Sequence, residues 1–313
     1  MNNIPSWILS ARGPILLLGE TGTGKSTFAK AIHDNICPLE PFIGVNLATL
    51  NDNLIEGELY GHLKGSFTGA TKDKKGYFEN VGKGTLFLDE IGELSWSSQK
   101  KLLLLLEEKI FFKLGCTKEK KFQGRVIAAT NRNLLNMVKE KIFREDLYYR
   151  LNTFSYELEP IRNDNIKKRG LINYYFEKYR TIYKKEKLIL NKACLKHLSD
   201  YDWPGNIREI KNCMEFMVNS AEEVSVTLSN LPKWIDIRKI LSSTKLCGLK
   251  ATDYLFAKSQ FEADFIREAL TKNGGKINKT AREMGISKTT LIAKVRKYDI
   301  KSQVSKVFNA VSM

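Results

Sequence analysis

Short apolar runs alternate with amphipathic stretches through the first half of the chain. Residues 14–18, 42–46, 84–88 and 125–130 are each short, mainly apolar runs, bounded by turn residues and too short for helices, so they read as buried strands. Between them, 26–35 and 97–108 carry apolar positions at helical spacing. Strands alternating with helices predict an α/β fold built on a doubly wound parallel sheet. From Asn165 to about Asn230 helical spacing takes over with no convincing strand, which predicts a small all-α domain packed on the sheet domain. Residues 232–248, with Ser242-Ser243-Thr244 at their centre, read as a linker, and a last helical block runs from about 252 to 298. The expected division is 1–160 for the sheet domain, 161–232 for the helical domain, 233–250 for the linker and 251–313 for the last domain.

Composition narrows the class. A chain of 313 residues, 42% hydrophobic and 27% charged, is an ordinary globular protein of about two domains, or three if one is small, and neither collagen-like, disulfide-built nor disordered. The densest apolar runs, 15–18 and 102–106, fall far short of a bilayer crossing, and 1–12 lacks the basic and apolar regions of a secretory signal. Cys37, Cys116, Cys194, Cys213 and Cys247 are scattered without a C-x-x-C pair, so a reducing, cytoplasmic location with no cysteine metal site is expected, and no membrane partner.

Charge changes the picture more. Fifty-one basic against 35 acidic residues leave +16, and from Gly248 onward 13 Lys/Arg face 6 Asp/Glu, a net +7 in 66 residues. The preceding 247 residues carry only +9. A tail about three times as basic per residue favours nucleic acid as its partner.

Three stretches carry chemistry. Gly19-Glu20-Thr21-Gly22-Thr23-Gly24-Lys25-Ser26, followed by Thr27, fits G-x-x-x-x-G-K-[ST] after an expected strand and before an expected helix. Backbone amides freed by the glycines and the helix N-terminus suit phosphate oxygens, Lys25 suits the β- and γ-phosphates, and the Ser26 hydroxyl suits Mg²⁺. Strand 84–88 runs into Asp89 and Glu90, one carboxylate for Mg²⁺ and one to polarise an attacking water. Thr130 and Asn131 end the next strand, where the amide suits sensing of the γ-phosphate or positioning of water. Arg144 and Arg150 lie six residues apart; they read equally as surface ion-pair residues or as arginines that stabilise transition-state charge, often for a neighbouring subunit. His33, His62 and His197 are widely separated and read as satisfied or solvent-facing.

Glu58 to Ala70 decides the family. Gly65-Ser66-Phe67-Thr68-Gly69-Ala70 puts an apolar tip between glycines, the pattern of a mobile contact loop. It resembles the G-A-F-T-G-A loop of the bacterial enhancer-binding proteins, AAA+ ATPases that activate RNA polymerase carrying sigma-54. The resemblance runs from about Pro14 to Ile300. It implies an AAA+ sheet domain, a helical lid and a Fis-type helix-turn-helix, assembled as a homo-oligomeric ring, usually a hexamer. It also implies ATP and Mg²⁺ as cofactors, with the sigma-54 RNA polymerase holoenzyme and upstream double-stranded DNA as partners. Lys25, Ser26 and Asp89 then match the phosphate and Mg²⁺ ligands and Glu90 the catalytic carboxylate. Asn46 matches the asparagine that restrains that glutamate, and Thr130 and Asn131 the first sensor. Arg144 and Arg150 match the finger arginines. Trp203-Pro204-Gly205-Asn206-Ile207-Arg208-Glu209 matches the lid signature, with Arg208 reading nucleotide, and Phe67 and Thr68 match the sigma-contacting tip.

In the tail, Thr280 to Ser287 reads as a helix, a glycine turn and an N-cap serine, and 288–298 as a recognition helix. Leu291 and Val295 would face the core, leaving Ser287, Lys288, Thr289, Thr290, Lys294, Arg296 and Lys297 at the DNA face. A solvated helical hairpin is the plainer alternative. Phe261 to Leu270 supplies an apolar-spaced helix for dimeric reading of a palindromic site.

The chain departs from the family pattern in places. About thirteen residues precede the first strand, where the family has a helix and turn over the adenine, and no receiver or sensory domain fits there. Control is therefore expected from a partner protein, from expression level or from a domain outside this chain. Position 26 is Ser where most members carry Glu, position 66 is Ser in place of Ala, and the junction 158–166 is shortened and lacks a second arginine. Two other readings stay open: a DNA-binding AAA+ regulator that no longer acts on sigma-54, and a nucleic-acid-stimulated translocase or helicase loader.

Overall fold

The structure is a computed structural model that describes residues 4–50, 52–67, 70–222, 224–235, 254–298 and 300. The chain divides into two units, Met1–Asn230 and Leu231–Met313.

In the first unit the elements follow as α1 (Ser6–Ser10), β1 (Ile15–Leu18), α2 (Lys25–Ile36), β2 (Phe42–Asn46), α3 (Asp52–Tyr60), β3 (Gly61–His62), β4 (Lys74–Lys75), α4 (Tyr77–Asn80) and β5 (Thr85–Asp89). They continue with α5 (Trp96–Glu108), β6 (Ile110–Phe112), β7 (Glu119–Lys121), β8 (Arg125–Thr130), α6 (Leu134–Lys139), α7 (Glu145–Leu151) and β9 (Phe154–Glu157). Five strands form one sheet in the order β2-β5-β8-β1-β9, every pairing parallel. The α/β fold with a parallel sheet and helices is the one the apolar pattern predicts.

Continuous apolar strands follow from burial on both faces. Ile15 and Leu17, with Ile127, Ala129 and Phe87, point into one core with Ile8, Phe28, Ile32 and Leu158. Leu16, Leu86, Leu88, Val126 and Ala128 point into the other with Ile55, Leu59, Phe78, Leu102 and Leu147. At about 1.5–3 kcal/mol for each large apolar side chain fully buried, these two layers hold the sheet together.

Two features were not expected. The fifth strand, β9, lies at the sheet edge, and its Phe-Ser-Tyr-Glu alternates half-buried and exposed positions, a weaker signal than a continuous apolar run. The segment before β1 also contains α1, whose Ile8 is fully buried, while Arg125 Nη1 donates to the Ala11 carbonyl at 2.6 Å.

The helical part of this unit comprises α8 (Asn165–Ile182), β10 (Ile189–Leu190), α9 (Lys192–Asp200), α10 (Asn206–Ser220) and β11 (Ser225–Val226). Asp164 caps α8, accepting from the Lys167 amide at 2.8 Å. Lys185 Nζ donates to the carbonyls of Val218, Asn219 and Ala221, closing the C-terminal end of α10. The sequence reading admitted no strand here; β10 and β11 pair in parallel over two residues each, too short to leave a periodic signal.

The second unit contains α11 (Tyr254–Lys272), α12 (Ile277–Glu283) and α13 (Lys288–Lys297). Ile266, Leu270, Ala281, Leu291, Val295 and Ile300 make its core. Gly285 takes φ +66° between α12 and α13, the left-handed turn that separates the two helices. The linker expected at 233–250 lies largely outside the described residues.

Candidate nucleotide site, contact loop and DNA face

The phosphate loop joins β1, central in the sheet, to α2. Gly22 and Gly24 hold φ of +81° and +96°, with Gly24 as the N-cap residue of α2. A Cβ on Gly22 would meet the Gly205 carbonyl at 2.2 Å and the Arg208 Cβ at 3.1 Å, so the lid sits directly against the loop. The loop's own bonds set its shape: Thr23 Oγ1 donates to the Glu20 carbonyl at 2.9 Å, and Lys25 Nζ donates to the carbonyls of Gly19 at 2.8 Å and Glu20 at 3.1 Å. Lys25 is buried, whereas Ser26 and Thr27 are exposed. Burial pushes the Lys25 ammonium below its ordinary range, opposed by the nearby Glu90 and Asp89 carboxylates.

Asp89 ends β5, two strands from the loop-bearing β1. Its carboxyl is raised by burial and then by the neighbouring Glu90 charge. Glu90 itself has φ +56°, a left-handed conformation that costs a non-glycine residue energy and recurs at functional positions. Its amide donates to Asp89 Oδ1 at 3.1 Å, and its Oε2 accepts from the Asn131 amide at 3.4 Å. Asn131 Nδ2 donates to Thr21 Oγ1 at 2.8 Å, so one residue at the end of β8 touches both the acidic pair and the phosphate loop. Thr130 is fully buried and accepts from the Arg132 amide at 3.0 Å.

Two adjacent carboxylates, beside an exposed hydroxyl and a buried ammonium, fit a dication and a polyphosphate. Ser26 and Asp89 would hold the metal; Lys25 and the loop amides would hold the phosphates.

Several expected residues stand elsewhere. Asn46 is opposite Asp89 in the β2–β5 register, but its Oδ1 accepts from the Ala48 amide at 2.9 Å and caps a short 3₁₀ turn, so its side chain is not on Glu90. The Glu20 side chain turns to Arg162 and Asn206, while its backbone carbonyl serves the loop. Hydrogen bonds from Arg162 and then Asn206 hold that carboxyl down at about 2. Arg208 projects from the first turn of α10 with an exposed side chain, close enough to act electrostatically on Lys25 and Asp89.

Arg144 and Arg150 form a separate patch. Arg144 grips Asp146 with Nε at 3.0 Å and Nη2 at 2.6 Å and lies 5.3 Å from the centre of the Trp96 ring. Arg150 Nη2 donates to the Leu106 carbonyl at 3.0 Å. With Glu145 and the exposed Tyr149, Trp96 and Arg144 line a shallow hollow. Among the described residues no hydrogen bond or ion pair connects either arginine to the phosphate loop of the same chain.

The contact loop is the connection of the β3–β4 hairpin. Gly65 donates to the Ala70 carbonyl at 2.9 Å and Ala70 to the Phe67 carbonyl at 3.0 Å. Phe67 is 42% exposed and meets His62 edge-on at 5.0 Å between ring centroids. A second hairpin, β6–β7, backs it: the Leu63 amide donates to the Leu114 carbonyl at 3.1 Å, the Leu114 amide donates to the Gly61 carbonyl at 2.9 Å, and a Cβ on Gly115 would lie 2.7 Å from that of Ser66. Thr68 and Gly69 lie outside the described residues.

In the second unit, Ser287 caps α13, its Oγ accepting from the Thr290 amide at 3.1 Å and bonding the Thr289 and Thr290 hydroxyls. Lys288, Thr289, Thr290, Arg296 and Lys297 are exposed. Lys294, expected to be free, instead pairs with Glu262 at 2.9 Å, and Tyr298 Oη donates to the same carboxylate at 2.6 Å. Ile266 and Leu270, read as a second helix face for dimerisation, are buried in this unit's own core. Lys276, Lys279 and Arg282 join Lys288 around a hollow, a cluster that the helix-by-helix reading missed because it gathers both helices.

A family profile described as the sigma-54 interaction domain matches residues 4–157, an AAA+ ATPase lid domain matches 162–244, and a bacterial regulatory protein of the Fis family matches 259–298. The chain is similar to the nitrogen fixation protein AnfA of Azotobacter vinelandii, 38% identical over 94% of this chain and 54% of that protein. It is 37% identical to the regulatory protein AtoC of Escherichia coli K12 over 94% of this chain and 64% of that protein. An uncharacterized protein of Pseudomonas sp. NS671 is 43% identical over 74% of this chain and 78% of its own length. The chain spans about half the length of the first two curated relatives it matches. Among solved structures, NtrX from Brucella abortus in complex with ATP superposes with a TM-score of 0.66 at 26% identity, over 93% of this chain and 65% of that one. Its ADP complex gives 0.68 at 25% identity, over 94% and 67%. No helix among the described residues is long and apolar enough to cross a membrane.

Proposed function

We propose, on the premise that this chain belongs to the sigma-54-dependent transcriptional activator family and carries an AAA+ ATPase-type domain with a Fis-type DNA-binding module, that it binds upstream DNA and spends ATP to convert closed sigma-54 promoter complexes into open ones. The observation that carries the reading is convergence. Lys25, Asp89, Glu90, Asn131 and the lid's Arg208 gather at one end of the sheet, brought together from four separate stretches of chain.

In this reading Lys25 and the loop amides hold the polyphosphate, with Ser26 and Asp89 on Mg²⁺. When bound, Mg²⁺–ATP supplies an electrophilic γ-phosphoryl group and neutralises developing charge. Glu90, held in its left-handed turn, orients and polarises the attacking water. Asn131 spans Glu90 and the phosphate loop and ties the position of one to the other. Arg144 and Arg150 act across a subunit boundary in a ring, of which the hexamer is the expected size. That fits their separation from the chain's own loop and the exposed Trp96–Tyr149 surface around Arg144. The 65–70 loop then works against the sigma factor.

Replacing Thr68 by Ala tests the loop assignment. ATP turnover should stay near the parent's while open-complex formation by sigma-54 holoenzyme falls at least about tenfold, the scale of a lost hot-spot contact. Full open-complex formation would remove the loop from the mechanism.

Binding of the tail to DNA should be strongly salt-dependent. Lys276, Lys279, Arg282, Lys288, Arg296 and Lys297 are placed to neutralise phosphates, so affinity should fall by at least about tenfold between about 50 and 200 mM salt. A flat titration by fluorescence anisotropy would exclude this face.

A further inference from the structure

The phosphate loop and the lid share a set of bonds that the motif assignments leave unexplained. Arg162, in the junction after β9, lays its guanidinium fork on the Glu20 carboxylate, Nη1 to Oε2 at 2.8 Å and Nη2 to Oε1. Asn206, fully buried at the start of α10, donates from Nδ2 to Glu20 Oε2 at 3.1 Å and to the Thr21 carbonyl at 3.0 Å. Its Oδ1 accepts from the Ile161 amide at 2.9 Å. Ile207 completes the seam, its amide donating to the Gly22 carbonyl at 2.9 Å. Three segments, distant in sequence, thus meet on the second residue of the phosphate loop.

The ion pair alone adds little stability, because both side chains are about two-fifths exposed. Its effect is geometric. A bidentate fork fixes direction as well as distance. The amide of Asn206 is satisfied only while loop, junction and lid keep one arrangement, and Asn206 holds φ +52° to stay there. Arg208 follows two residues later in the same helical turn, so a shift of Asn206 away from the loop carries Arg208 with it.

We infer that Glu20, Arg162 and Asn206 form a latch that holds the lid's Arg208 at the phosphate loop, making Glu20 and Arg162 positioning residues for hydrolysis and not nucleotide ligands. The inference rests on the reading of the loop as an ATP site. It explains why the junction keeps Arg162 where the second arginine of the family pattern is absent: the first makes the bond to the loop.

The test uses the full chain, with no sigma factor or DNA present. Glu20→Gln and Arg162→Gln should each lower kcat for ATP about tenfold, within the range that small misplacements of a reacting group produce. Affinity for fluorescently labelled ADP should change far less. Amide hydrogens of α10 should exchange faster in both variants. The double variant Glu20→Arg with Arg162→Glu should recover most of the lost kcat, and Arg162→Lys, which keeps charge without the fork, only part of it. The latch is overturned if the single variants keep the parent's kcat and α10 exchange. It is equally overturned if the folded double variant is no better than either single. Should the parent itself not hydrolyse ATP, the proposed function fails, and the latch is then judged on α10 exchange, which must still rise in the single variants.

Discussion

Glu90→Gln should abolish turnover and spare binding: kcat for ATP falls by about 10²–10⁴-fold, the usual contribution of a positioned acid–base group, while labelled ADP binds as tightly as to the parent. The amide is nearly the same shape, so the Asn131 amide keeps an acceptor at Oε1 and the left-handed turn at residue 90 is undisturbed. What is lost is the negative charge that polarises water. Asp89 gains by the change, because the neighbouring charge that raises its carboxyl is removed and a metal bound there meets a fuller negative charge. The variant is therefore expected to trap ATP, visible as a stable complex on gel filtration with radiolabelled nucleotide. A Glu90→Gln protein retaining more than about a tenth of the parent's kcat would assign the water to another group.

Trp203→Ala should be the most destabilising single change in the lid. Trp203 has no exposed surface, packs edge-on against Tyr201 at 5.1 Å, and donates from Nε1 to the Leu198 carbonyl at 2.8 Å. Truncating so large a buried aromatic costs about 3–5 kcal/mol. The loss goes further here, since Trp203 and Asn206, both at positive φ, form the two ends of the turn that aims α10 at the phosphate loop. Urea unfolding followed by circular dichroism should show a lower midpoint, and ADP affinity should fall with it. Trp203→Phe separates the parts: it keeps most of the volume and loses the hydrogen bond, leaving the Leu198 carbonyl unsatisfied at about 1–3 kcal/mol. An unchanged midpoint for Trp203→Ala would mean that the lid is not organised around this side chain.

The legible parts of the molecule share a physical cause. A phosphate loop needs glycines at positive φ, a lysine and a hydroxyl within eight consecutive residues, so its steric and chemical demands are written contiguously. A strand buried on both faces must be mainly apolar, which makes 14–18, 84–88 and 125–130 stand out in the sequence. β9 escaped because an edge strand buries only alternate residues, and Phe-Ser-Tyr-Glu is as compatible with a turn. The Glu20–Arg162 pair joins residues 142 apart, and the Glu262–Lys294 pair joins residues 32 apart. No local pattern distinguishes either arginine or lysine from a solvated one. Asn46, expected to restrain Glu90, ends β2 opposite Asp89, but its side chain takes a nearer donor in the Ala48 amide. Spacing locates a backbone; which of several donors a polar side chain takes is settled by packing.

The close approach of Gly115 to Ser66 has a consequence for the contact loop. Gly115 sits at φ +75° with the space beyond its α-carbon already filled by the Ser66 side chain, 2.7 Å from where its own Cβ would stand. Any side chain at 115 would have to push the contact loop off the hairpin behind it, because even an alanine at 66 would present the same β-carbon. The contact loop therefore keeps its seat only while residue 115 stays a glycine, and the two loops are constrained as a single unit.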